Sequence, residues 1–217
     1  MKQLLTIISA ALIFTACSDD SDPASSVGSE YSAMTNTLKD LRDGQTYKTV
    51  TIGSQTWMAE DLNFVMDSNL CDKITVPMEP IMPHCNEYGW FYGWMEAVSV
   101  CPDGWHLPSK DEWNALFVAV GDTSIAGKVL KSASGWNVDE FGQSGDGVDA
   151  FGFSALPAGS LSNDGICNSM GYCAYFWSST EDSSGYAYGV YLSSSFDNAV
   201  LRTVNKNNGL SVRCLKD

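Results

Sequence analysis

Pro108-Ser109-Lys110-Asp111-Glu112-Trp113-Asn114-Ala115-Leu116-Phe117-Val118-Ala119-Val120-Gly121 reads as a helix with both of its ends signalled. Ser109 and Glu112 have the spacing of a capping box, in which the serine accepts from the third amide and the glutamate reaches back. Trp113, Leu116, Phe117 and Val120 follow at i, i+3, i+4 and i+7, which gathers them on one face. Gly121 supplies the stop. A short helix with a single apolar face needs a surface to bury it on, so the flanking sequence decides the fold class.

On the N-terminal side, Tyr47 to Ile52 alternates polar and apolar residues as a strand does. Gly53-Ser54 turns the chain, and Gln55-Thr-Trp-Met58 reads as the hairpin partner. Asp61 to Cys85 is irregular and rich in Pro and Met. Tyr88 to Val100, dense in aromatics (Trp90, Phe91, Tyr92, Trp94), is expected to form a first helix, although Gly89 and Gly93 weaken its start. On the C-terminal side, Ala126 to Ser132 adds a short helical turn. Residues 135–172 are a long loop region, interrupted by a short strand at Phe151 to Pro157. Strands are then expected at Tyr175–Thr180, Tyr186–Ser193, Ala199–Val204 and Leu210–Leu215, with turns at Ser183-Ser-Gly185, Asp197-Asn198 and Asn207-Asn-Gly209. No internal repeat is visible. A hairpin, two helices, loops and an antiparallel sheet make an α+β domain.

The first residues read as a targeting segment. Lys2 is followed by an uncharged run from Leu4 to Phe14, of secretory length and shorter than the roughly 20 apolar residues of a spanning helix. Phe14-Thr-Ala-Cys17 resembles a lipobox, with Cys17 as the lipidated residue and Phe14 in place of the usual leucine. The expected division is therefore a signal peptide at 1–16, a lipidated cysteine and flexible acidic, Ser-rich tether at 17–45, and a folded domain at 46–217. The run Ser18-Asp-Asp-Ser-Asp22 fits either a surface-export signal or a plain solvated linker. A net charge of −14 argues against nucleic acid as a partner, which calls for a basic stripe.

Of seven cysteines, Cys17 is taken by the anchor and six remain, an even set in an exported chain. Locality pairs Cys71 with Cys85 and Cys167 with Cys173, leaving Cys101 for Cys214. Zinc is the other use of such residues, but no C-x-x-C or H-x-x-x-H spacing occurs and there are only two histidines.

Several blocks resemble the Fibrobacter succinogenes major paralogous domain. They are Ile52-Gly-Ser-Gln-Thr-Trp-Met-Ala-Glu-Asp-Leu-Asn63, Tyr88-Gly-Trp-Phe-Tyr-Gly-Trp94 and Cys101-Pro-Asp-Gly-Trp-His-Leu-Pro-Ser-Lys-Asp-Glu-Trp113. Phe151-Gly-Phe-Ser-Ala-Leu-Pro-Ala-Gly159, Phe176-Trp-Ser-Ser-Thr-Glu181 and Gly209-Leu-Ser-Val-Arg-Cys-Leu215 complete the set. More distantly, the layout looks like the C-type lectin-like fold in its formylglycine-enzyme branch. That resemblance implies two helices packed on antiparallel sheets with a long loop region, and a Cys101–Cys214 bridge from helix to last strand. Fold analogy licenses architecture more than function.

Most tryptophans fit core packing. Trp136 stands apart in the Gly- and Asp-rich loop: exposed, it stacks on a sugar face; buried, it pins the loop. Asp139, Glu140, Asp146 and Asp149 are candidate calcium ligands, although the Glu-Pro-Asn and Trp-Asn-Asp motifs of calcium-dependent lectins are absent and a solvated acidic loop is the simpler account. Trp136, Asp146 and Asp149 are carried forward as candidate ligand-binding residues. No cofactor is expected, and no catalytic residue is nominated. Neither His84 nor His106 sits in a nucleophile-and-base pattern, and the reactive cysteines of the formylglycine enzymes have no counterpart. The sequence thus points to a non-catalytic binding or adhesion module, anchored to the outer membrane by lipid and facing the exterior. Polysaccharide or a cell-surface protein is its expected partner. A structural envelope role and a glycan-acting enzyme are the alternatives.

Overall fold

The computed structural model describes residues 28–65, 88–139 and 141–217. Cys17, the 71–85 pair, His84 and Glu140 lie outside these residues. Eleven strands and three short helices are described. β1 (Ser29–Ser32), β2 (Thr37–Asp40), β3 (Thr46–Ile52), β4 (Gln55–Met58), β11 (Leu215–Lys216) and β5 (Trp105–His106) make one sheet, in the order β1-β2-β3-β4-β11-β5. β10 (Phe196–Asn205), β9 (Tyr186–Ser193) and β8 (Cys173–Ser183) form a second, antiparallel sheet, and β6 (Ser160–Leu161) pairs with β7 (Cys167–Asn168). α1 spans Trp94–Val100, α2 Lys110–Ala119 and α3 Thr123–Leu130. The α+β reading holds; among the described residues three helices are seen, and the short helical turn expected at Ala126–Ser132 corresponds to α3.

α2 forms as expected, with Ser109 and Glu112 capping each other and Trp113, Leu116 and Phe117 buried. The β3–β4 hairpin is registered Ile52↔Gln55 through Thr49↔Met58. Other elements depart from expectation for physical reasons. β1 and β2 lie inside the stretch expected to be tether. Leu38 is fully buried, and the Tyr31 ring meets Trp105 edge-on at 5.8 Å, so two apolar residues suffice to dock a polar hairpin on β3. α1 begins at Trp94 instead of Tyr88, because the preceding residues run extended: Trp90 N–H donates to Leu62 O and Tyr92 bridges to Leu210. Gly89 sits there at φ +86°, with a Cβ position 2.9 Å from Asp61 Cβ, a conformation no helix holds.

Phe151–Pro157 is not a strand. It buries Phe153 and Ala155 and makes one bridge, Lys131↔Ala155. The β9–β10 turn falls at Ser194–Ser195, placing Asp197-Asn198 inside β10, where the register shifts between Phe196 and Val200. The expected strand at Leu210–Leu215 is extended, but its partners change almost residue by residue. Leu210 bridges to Tyr92 and Ser211 to Phe176, Val212 O accepts from Leu62, Cys214 O accepts from Met58, and only then does β11 pair with β4 and β5.

This connector stitches the two larger sheets together. Around it lie two main cores. α2 and α3 cover one, built on Trp57, Trp113, Phe153, Phe176 and Leu215. α1 covers the other, built on Met58, Tyr92, Trp177, Val212 and Cys214. Three pairs of chain neighbours, Trp57/Met58, Phe176/Trp177 and Cys214/Leu215, are split between them, as the period-two alternation of extended chain requires.

Two linkages cross this centre. Cys101, just after α1, is bonded to Cys214 across 113 residues, as the pairing scheme expected. Arg213 is fully buried; its Nε donates to Asp61 Oδ1 at 2.6 Å, its Nη2 to Ser154 O at 2.8 Å, and its Nη1 to Phe153 O. Burial pushes the Asp61 carboxyl up, and the Arg213 charge opposes that rise without cancelling it.

Candidate functional site

The sequence candidates are structural. Trp136 is only 5% exposed, and its Nε1 donates to Ser132 Oγ and Ala155 O, both at 3.1 Å, so it offers no face to a sugar and pins the loop instead. Asp146 accepts from the Trp136 N–H at 3.0 Å and from Ser144 Oγ at 2.9 Å. Asp149 is occupied by the N–H and hydroxyl of Ser154. Asp139 accepts from the amides of Phe141 and Gln143. These carboxylates fold the loop by capping its own turns. Among the described residues no group of three or more His, Cys, Asp and Glu is placed to hold a metal ion.

Cys167 and Cys173, expected to bridge, are both free thiols. Cys167 packs toward Phe91, Ala158 and Leu161, whereas Cys173 is buried at the start of β8, with its thiol 3.6 Å from the Tyr191 hydroxyl. Their side chains therefore lie in different surroundings despite their closeness in sequence.

The feature most suited to binding lies on the β8–β10 sheet beside the long loop. Tyr175 and Tyr191 are register partners whose ring centres lie 5.1 Å apart, with the planes tilted by 44°. Arg202, from β10, lies 4.3 Å from the Tyr191 ring centre and 4.9 Å from that of Tyr175, and donates to the Tyr175 hydroxyl at 2.9 Å. The opposite face of these strands carries Phe176, Val190 and Leu192 into the core. Trp177 shares the Tyr175 face but is buried in the second core, so only the end of the sheet nearest the loop stays open.

Tyr191 continues into a groove of about 510 Å³ lined by Val138, Asp139, Tyr172, Ser193, Ser195 and Phe196. Tyr172 and Phe196 are 49% and 59% exposed. Burial, aided by Cys173, pushes the Tyr175 hydroxyl up to about 12 against the Arg202 charge, and burial also raises that of Tyr191. Both remain neutral phenols at physiological pH, able to donate as well as accept.

Lys131 fixes the floor of this groove. Its buried ammonium donates to Ser193 O at 2.8 Å and Phe196 O at 3.4 Å, and lies 5.0 Å from the Trp136 ring centre. Burial pushes its pKa down to about 8. The β9–β10 turn is thereby tied to the end of α3.

A second groove, of about 590 Å³, runs past Trp94, Met95, Asn205 and Lys206. Along it the Lys206 ammonium sits 4.2 Å over the Trp94 ring and pairs with Glu181.

His106 is held between two carboxylates, Nδ1 to Asp217 at 2.5 Å and Nε2 to Glu112 at 3.0 Å, while Ser109 Oγ donates to Glu112. Both ring nitrogens are engaged and the serine points elsewhere, so the set is a staple between α2 and the end of the sheet. Partial burial disfavours the charged ring, but the hydrogen bonds to Asp217 and Glu112 overcome it and raise the His106 pKa above 6.5. A raised histidine contributes stability that is full below its unfolded pKa and lost as pH rises through the folded one. Urea midpoints are therefore expected to fall as pH climbs from about 6 to 8, while His106→Gln flattens that slope. Because His106 is 38% exposed and Asp217 60%, the effect stays within about 1 kcal/mol and shrinks in high salt. An unchanged slope in the variant would assign the pH dependence to other groups.

The family model described as the Fibrobacter succinogenes major domain matches residues 50–216. No curated protein and no solved structure matches the chain.

Proposed function

The chain belongs to the Fibrobacter succinogenes major domain family, and from that premise we propose that it is a surface lipoprotein whose domain binds carbohydrate without catalysing a reaction. The Tyr175–Tyr191–Arg202 cluster beside the Tyr172–Phe196 groove is the observation that carries this reading. Aromatic faces next to neutral hydroxyls suit sugars, which present apolar C–H faces and a rim of donors and acceptors. The site is preorganised, with Lys131 and the contact between the two tyrosine rings holding its parts before any ligand arrives, which lowers the cost of binding.

A C-type lectin-like architecture is part of the proposal. The bridge from the end of α1 to Cys214 and the placement of the candidate face beside the long loop support it. The lipobox-like Phe14–Cys17 segment supports a lipid anchor at Cys17 and an outer-membrane location. A protein partner is the second reading, favoured by the exposed Val138 and Phe141 bordering the groove's loop.

A glycan array probed with the soluble chain, in calcium and in chelator, tests the proposal. Selective binding is expected, and Tyr191→Ala should weaken it by about tenfold or more, the loss typical of a central aromatic contact. A blank array in both buffers, or full binding by the variant, rules out this face as a sugar site.

A further inference from the structure

The chain has three arginines, and two of them are spent on carboxylates: Arg42 on Asp40 and Arg213 on Asp61. Arg202 is not. It is exposed on β10, and among the described residues no Asp or Glu pairs with it. Its register partner on β9 is Gly189, which brings no side chain to the guanidinium. Nη2 donates to the Tyr175 hydroxyl at 2.9 Å, whereas Nε and Nη1 donate to none of the described groups. The guanidinium is nonetheless held in place, 4.3 and 4.9 Å from the centres of the Tyr191 and Tyr175 rings. Fixing a long side chain before a ligand arrives removes an ordering cost from binding. An arginine lying on aromatic faces also keeps the N–H groups along its edge for another acceptor.

These donors define what they would take. The Tyr175 hydroxyl accepts from Arg202 and keeps its own proton to give away. The two side chains thus offer donors side by side, and the acceptor that matches the guanidinium edge with two parallel bonds is a planar carboxylate. Tyr191 joins this cation to the groove, since its ring meets Arg202 and also lines the groove wall. Asp139, the carboxylate along that wall, is turned to the amides of Phe141 and Gln143, and Arg202 is not part of the wall. The negative charge of a ligand therefore belongs at Arg202, and its uncharged rings belong along the groove. Resting on the carbohydrate reading above, we propose that this face selects acidic sugars. A uronate carboxylate accepts from Arg202 and the Tyr175 hydroxyl while the neighbouring ring lies against Tyr191.

An array of uronate oligosaccharides, printed beside their methyl esters and their neutral hexose counterparts and probed with the full chain, tests this. The acids are expected to bind, and both uncharged forms to bind about tenfold or more weakly, the factor carried by hydrogen bonds to a charged group. Arg202→Gln should erase that difference by lowering acid binding while leaving the neutral forms unchanged. Arg202→Lys keeps the charge without the fork and should fall between the parent and Arg202→Gln. Because Arg202 is exposed, both variants should melt with the parent. Equal binding of acids and esters, still weakened by Tyr191→Ala, would overturn the acidic preference and leave the carbohydrate reading standing. A blank array would overturn both. Preference for sulfated glycans over uronates, or loss of uronate binding in chelator, would overturn the carboxylate contact with Arg202.

Discussion

Arg213→Ala is expected to cost about 3–5 kcal/mol of stability, the penalty for leaving a buried charge without its partner. The side chain is fully buried, Asp61 is nearly so, and the carboxylate would keep its desolvation while losing the guanidinium that opposes it. Phe153 O and Ser154 O would lose donors in the same step, loosening the segment that seats Phe153 between the Trp57 and Phe176 rings. For a chain of this size the melting temperature should fall by roughly 10 °C. The paired replacement Arg213→Met with Asp61→Leu should recover much of that loss, since a well-packed apolar pair often equals a buried ion pair. Chemical denaturation of the two variants beside the parent decides the matter. A single variant within about 1 kcal/mol of the parent would mean that water reaches the carboxylate and the pair is not sealed.

Removing the Cys101–Cys214 bridge is expected to be comparably severe. Closing a loop across 113 residues restricts the unfolded chain by about 4–5 kcal/mol in the chain-entropy treatment. Cys214 is also fully buried, one residue from Arg213 and next to β11, so its loss acts where both cores meet. The double variant Cys101→Ser, Cys214→Ser should show a urea midpoint far below that of the oxidised parent, and reduction of the parent should reproduce it. Coincident midpoints for oxidised and reduced protein would show that packing alone holds the connector.

What the sequence disclosed followed how local each signal was. α2 was legible because its cap, apolar face and stop all lie within residues 109–121, and the β3–β4 hairpin because alternation and turn adjoin. β1 and β2 were not, since only Tyr31 and Leu38 mark them within polar surroundings and their partner surface comes from β3 and Trp105. The Leu210–Leu215 segment read as a strand because it is extended and apolar, but nothing local reveals that its partners belong to several elements. Cysteine spacing paired Cys167 with Cys173 by proximity, whereas the fold turns their side chains into separate environments.

The candidate site was the least legible feature. Tyr175 and Trp177 carry the same alternation, and nothing local tells that Trp177 is fully buried in the second core while Tyr175 packs on its edge, partly exposed. Trp136 drew attention as a tryptophan in a polar loop, yet its indole serves that loop. The signal available beforehand was the pair of tyrosines at matching positions on two strands joined by a tight turn, with an arginine on the third.

The division of Trp57/Met58, Phe176/Trp177 and Cys214/Leu215 between two cores has a consequence for how the molecule comes apart. One peptide unit separates side chains that anchor opposite interiors, so neither interior can loosen without dragging the backbone that seals the other. The two cores are therefore halves of one cooperative unit, and a fault introduced beneath α1 is transmitted to the packing under α2 and α3 through chain connectivity itself.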